Sequence, residues 1–188
     1  MPYEKEISRK FPAYFIFLLD QSGSMEDPIG GGGGKRKKQA VAENLNSWIQ
    51  NMIVAAASTE GVKEYMEVSV IGYRTDDTGK PIVASALGGA LAGKEQVSIG
   101  ELAENPARVE DVVEQVFDEE TGEILEVPGT LCIWVEEEAS FGTPMCSAML
   151  KAHELATEWT EQHPKSFPPI VINFSDGEST EGPPHEYA

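Results

Sequence analysis

Apolar and polar positions alternate along this chain in blocks of two periods. Residues 15–19, Phe-Ile-Phe-Leu-Leu, are apolar without a break. Such a run predicts a strand buried on both faces, as in a parallel sheet. Val41, Leu45, Trp48, Ile49, Met52, Ile53 and Ala56 recur at spacings of three and four and predict a helix with one buried stripe, Trp48 in the core and Gly61 as the stop. Met66 to Tyr73 predicts the next strand, with Val68, Val70 and Ile71 as its apolar part. Asp76-Asp77-Thr78-Gly79 then turns the chain into a short strand at Ile82-Val83. Met145, Ala148, Met149, Ala152, Leu155, Ala156 and Trp159 form a second helical stripe. That helix opens at Thr143-Pro144, with Thr143 where a cap belongs and Pro144 suited to the first position. Ile170-Val171-Ile172 predicts a further buried strand.

Between about 88 and 140 the pattern is irregular. Gly88 to Gly93 reads as a loop, and Leu102-Ala103 as one helical turn before Asn105-Pro106. Val109, Val112, Val113 and Val116 fit a helix, but their β-branching and the following Glu120-Thr121-Gly122-Glu123 turn favour a hairpin. Its return strand is expected at Ile124 to Val127, with a separate strand at Leu131 to Val135.

Length and composition narrow the classes. The 188 residues suit one domain with a sizeable core. No stretch approaches a membrane span, and the polar, charged residues 1–12 lack the apolar core of a signal peptide and read as an arm before the first strand. A cytoplasmic location is the expectation. The two cysteines, Cys132 and Cys146, sit in apolar context and read as buried free thiols. A formal net charge of −18 argues against nucleic acid or an anionic membrane as partner.

The candidate chemistry begins where the first strand ends. Asp20, Ser22 and Ser24 place three oxygen side chains at alternate positions, with Gly23 between the serines. A loop at a strand's carboxyl end is where open α/β sheets bind ligands. Oxygen-only donors suit a hard cation such as Mg²⁺. Five glycines, Gly30 to Gly34, follow, but no Gly-Lys-Ser/Thr ends them as in a phosphate-binding loop. They read as a connection to the helix. Lys35-Arg36-Lys37-Lys38 lies at the end of that helix which its dipole disfavours. The run is either solvated, answering nearby acids, or an acidic partner's contact. Glu136-Glu137-Glu138 either tunes the field at the candidate site or is a solvated run. His153 and His163 have no partner at metal or triad spacing and read as surface residues, and His185 falls in an unstructured tail.

The strand ending in Asp-x-Ser-x-Ser resembles the metal-ion-dependent adhesion site of von Willebrand factor A domains. The resemblance implies two further ligands: Thr143 in Phe141-Gly142-Thr143-Pro144, and Asp176 in Phe174-Ser175-Asp176-Gly177. It also implies the fold class: α/β, with a doubly wound, mostly parallel, Rossmann-like sheet and helices on both faces, over residues 13–188. The hairpin region at about 88–140 would be an insertion that delivers the threonine loop. In that family Ser22, Ser24 and Thr143 would bind Mg²⁺ directly, with Mn²⁺ or Ca²⁺ as alternatives. Asp20 and Asp176 would act mostly through water, and an Asp or Glu carboxylate of a partner protein would complete the shell. Intracellular relatives imply an AAA+ ATPase, a kinase or a phosphatase as partner, in bacteria within stress-response clusters. The family usually has two more strand-and-helix units after Asp176, roughly 60 residues at about 30 each. The expectation is therefore a C-terminally incomplete domain, or a protomer that pairs through the edge at Ile170–Phe174. A scaffold whose metal only braces loops is the second reading. A phosphohydrolase with Asp20 as nucleophile is the third, but the haloacid-dehalogenase pattern needs an aspartate where Ser22 stands. No Ser-His-Asp or Cys-His arrangement offers itself, so no enzyme activity is expected.

Overall fold

A computed structural model describes residues 6–31, 34–117 and 122–186. Strand β1 spans Ala13–Asp20 and helix α1 Lys37–Ala56. A two-residue ladder, β2 (Ala57–Ser58) with β3 (Gly61–Val62), reverses the chain after α1, and Gly61 takes φ 111°, which a side chain would resist. Strand β4 (Met66–Thr75), β5 (Pro81–Ser85), β6 (Val97–Ser98) and α2 (Ile99–Glu104) follow. Then come β7 (Arg108–Phe117), β8 (Ile124–Ile133), α3 (Met145–Gln162) and β9 (Ile170–Phe174).

The main sheet is ordered β5-β4-β1-β9, with β6 also on β4. Strands β4, β1 and β9 are mutually parallel, so that Phe17 sits between Val70 and Ile172. Strands β5 and β6 run antiparallel to β4. The domain is thus mixed α/β with a parallel centre. The unbroken apolar run of β1 has a direct cause. Phe17 and Leu19 pack with Leu45 and Ile49 of α1 on one face. Tyr14, Ile16 and Leu18 pack with Met145, Ala148, Leu155 and Trp159 of α3 on the other. A strand covered twice has no wet face to alternate with. Burial pushes the Tyr14 phenol up to about 12, against the opposing hydrogen bond with Ser69 at 2.6 Å.

Several expectations change. Strand β8 is one strand, not two: its register with β7 runs unbroken from Arg108–Ile133 to Phe117–Ile124, through Pro128 and Gly129. A two-stranded ribbon is all edge, where a proline's missing donor is tolerated. The turn after β7 falls partly outside the described residues. Trp48 is not core but 45% exposed, lying edge-on to Phe17 and Phe174 at 6.1 and 5.8 Å. In its place Asn46 faces inward. Pro144, not Thr143, flanks α3, and no side chain caps that helix. The Asp76 carboxylate accepts from the Thr78 and Lys80 amides and the Thr78 hydroxyl, as expected of a turn residue. Cys132 and Cys146 are free thiols, half-buried and buried. The outer edge of β9 has no strand beside it among the described residues, and Ile170 and Val171 are exposed there. Among the described residues no helix is long and apolar enough to cross a membrane.

Candidate metal centre

Three loops meet at the carboxyl ends of β1, β4 and β9. The first leaves β1 through Asp20 and makes a single tight turn over Gly23–Glu26. Asp20 is buried, and its Oδ1 accepts from the Ser22 amide at 2.9 Å. That bond curls the loop and sets the Ser22 and Ser24 hydroxyls 3.1 Å apart. The loop after β9 closes from the other side. Ser24 Oγ donates to Asp176 Oδ1 at 2.9 Å, and Ser175 Oγ donates to Asp20 Oδ2 at 2.7 Å. Asp20, Ser22, Ser24 and Asp176 therefore form one connected oxygen cluster, although 152 positions separate Ser24 from Asp176.

Thr143 arrives on the third loop. Backbone bonds from Gly23 N to the Phe141 carbonyl, 2.9 Å, and from Ser140 N to the Gln21 carbonyl, 2.7 Å, tie this loop to the first. Gly142 N donates to Thr75 Oγ1 at the end of β4, 2.8 Å. The close fit explains the glycine, since a Cβ there would stand 3.0 Å from that hydroxyl and 3.1 Å from the Thr75 methyl. Thr143 itself is buried, and its carbonyl accepts from the Thr180 amide at 3.0 Å. Its hydroxyl is not spent on capping α3, which removes the competition between the two roles.

Charge around the cluster is organised by the basic run. Lys37 Nζ bonds Asp176 Oδ2 and lies 3.7 Å from Asp27. Burial opposes a charge on Asp176, but Lys37 and then the Ser24 hydroxyl outweigh it and hold the carboxyl below its ordinary value. The same bond raises the Lys37 ammonium. Lys38 reaches Glu26 at 2.6 Å and Glu137 at 4.0 Å, Arg36 pairs with Glu26, and Lys35 pairs with Glu43. The run thus answers nearby acids. Ile29 N to the Lys35 carbonyl and Lys37 N to the Asp27 carbonyl, both 3.0 Å, close the glycine-rich loop at its base. Of that loop, Gly32 and Gly33 lie outside the described residues. Glu138 pairs with Arg74 at 3.1 Å, and Arg74 also donates to Gln21 at 3.0 Å. His163 lies against Trp159, its ring tilted, with ring centroids 4.6 Å apart.

The donor set fits a hard divalent cation. It holds only oxygens, two of them carboxylates, and the buried Asp20 carboxylate receives only neutral donors among the described residues. A buried carboxylate with no cation beside it is costly, and a metal would offset that cost. Among the described residues no group of three or more His, Cys, Asp or Glu side chains is placed to hold a metal. The candidate set contains only two such residues and relies on hydroxyls for the rest. The sequence does not reveal Ser175 and Thr75 as supports of these loops, nor Lys37 as the cation on Asp176; only their distant partners do. No protein-family model, curated protein or solved structure matches the chain.

Proposed function

We propose that this chain is a metal-dependent protein-binding module of the von Willebrand factor A type. Ser22, Ser24 and Thr143 would hold one Mg²⁺, or Mn²⁺ or Ca²⁺ in its place, with Asp20 and Asp176 in support. The observation that carries this reading is the Ser24–Asp176 bond, which joins the β1 loop to the β9 loop through the two residue types such a site requires. The strand order supports it too, because a parallel β4-β1-β9 centre with antiparallel β5 outside and helices on both faces is what that family's fold would present.

The chemistry follows from the donors. Neutral hydroxyls bind a divalent ion without quenching its charge. Octahedral Mg²⁺ keeps water positions that a carboxylate can take. A partner's Asp or Glu would complete the shell, and no bond would break. The chain's own part is to fix the hydroxyls, and the backbone bonds at Gly23, Ser140 and Thr180 tie the three loops to one another. Loops tied through their own backbone leave recognition, rather than bracing, as the ion's part. A cytoplasmic AAA+ ATPase, kinase or phosphatase remains the class of partner that the resemblance implies.

Capture from an extract of the native host, with and without EDTA, tests the reading. Magnesium-dependent retention of a defined protein, lost in Thr143→Ala while the unfolding midpoint is unchanged, is the expected result. Retention equal in EDTA and in Thr143→Ala would overturn it.

A further inference from the structure

The β7–β8 hairpin has no part in the metal centre, yet among the described residues it exposes Val109, Val113, Val116, Phe117, Ile124 and Leu125. Its unbroken register puts Val112, Val116, Leu125, Val127, Leu131 and Ile133 on one face. Ile133 is buried at the base, whereas Val116 and Leu125 are exposed towards the tip. On the opposite face Phe117 and Ile124 are 62% and 64% exposed. A two-stranded ribbon is marginal in water unless something covers it. At the base, Gln50 of α1 accepts from Cys132 N and donates to the Thr130 carbonyl at 3.3 and 3.4 Å, and Asn46 of the same helix bonds Trp134 and Val135 just beyond β8.

Between that base and α1 lies a cavity of about 210 Å³. Ala42, Leu131 and Ile133 form its apolar floor, and Glu43, Glu110 and Glu137 stand on its rim. Counting Glu136, four carboxylates line it beside three cations: Arg108 pairs with Glu136 at 2.7 Å and with Glu110, Lys35 pairs with Glu43, and Lys38 reaches Glu137 at 4.0 Å, so the rim keeps a net negative charge. The hairpin segment 108–133 carries eight acidic residues and one basic one. A second copy of this chain is a poor occupant, because it would bring the same acidic ribbon and a net charge of −18 against this one. A cationic side chain with an apolar stem matches both the floor and the rim.

We infer that the groove between α1 and the hairpin is a docking site for a basic, apolar segment of another protein. A lysine or arginine of that segment enters the cavity, and its apolar neighbours cover Val112, Val116 and Leu125. The site is separate from the metal centre and works without it.

The test is fluorescence anisotropy of the full chain with a short labelled peptide alternating lysine and valine, beside its glutamate–valine counterpart. The lysine peptide should bind, weaken as salt is raised, and be unaffected by EDTA. Glu110→Gln with Glu137→Gln, which keeps shape, and Leu125→Asp, at an exposed position, should each weaken it about tenfold or more. Glu158→Gln with Glu161→Gln, on the exposed face of α3, should leave it unchanged, which separates a site from diffuse attraction to an acidic protein. Three results would overturn the inference: no binding of the lysine peptide, equal losses in the α3 control, or hairpin variants that merely convert a dimer to a monomer in light scattering.

Discussion

Asn46→Ala should be among the most damaging single substitutions of a polar residue in this chain. Asn46 lies on α1 with its side chain buried. Its Oδ1 accepts from the Trp134 and Val135 amides at 2.9 and 3.0 Å, and its Nδ2 donates to the Val135 carbonyl at 2.8 Å. Trp134 is itself buried and anchored by its indole N–H to the Leu102 carbonyl at 2.7 Å. Truncation strands two amides and one carbonyl. At roughly 1–3 kcal/mol for each unsatisfied buried group, the gross cost is on the order of 3–9 kcal/mol. A water entering the space left by the amide would recover part of it, so about 3 kcal/mol is the expected net loss. For a chain of this length that corresponds to a midpoint roughly 6–12 °C lower. Asn44→Ala is the matched control: it sits on the same helix, exposed, and donates only to the Ala40 carbonyl. It should change stability by less than about 0.5 kcal/mol. Urea titrations followed by tryptophan fluorescence would measure both. An Asn46→Ala chain as stable as the parent, or an equal loss in Asn44→Ala, would refute the role given to these three bonds.

Three other outcomes are expected. Lys37→Met removes the ammonium that competes for Asp176, so calorimetry should show Mg²⁺ binding several-fold tighter than in the parent; weaker binding would mean that Lys37 supports the site instead. Thr75→Val removes the hydroxyl that holds the Gly142 amide and should lower Mg²⁺ affinity a few-fold with little change in the melt, whereas unchanged affinity would show that the Thr143 loop holds itself. The unpaired outer edge of β9, with Ile170 and Val171 exposed, should cause concentration-dependent association in light scattering that Val171→Lys abolishes; a sharp monomer at every concentration would show that the edge is protected.

Much of the fold was legible because it depends on local pattern. The doubly covered strand β1, the stripe of α3 and the hairpin at Val109–Val127 follow from runs and periods. What the pattern could not show depends on distant partners. Asn46 is polar on a helix and is buried only because two amides at Trp134 and Val135 meet it there. Trp48 stays exposed because no strand lies beyond β9 to cover it among the described residues. Pro128 and Gly129 read as breaks, yet a two-stranded ribbon accommodates both. In the candidate site, Asp20, Ser22 and Ser24 could be read from their spacing. The bonds from Ser24 to Asp176 and from Ser175 to Asp20 appear only once β9 lies beside β1.

The proposed function stands on these oxygens holding a divalent metal. Calorimetric titration of Mg²⁺ and Mn²⁺ into the chain and into Asp20→Ala tests it most directly. Asp20 ends β1 rather than filling the core, so its removal should leave the unfolding transition cooperative. One ion should bind per parent chain and none per variant chain. Equal affinity in the two proteins, or no binding by the parent, would contradict it.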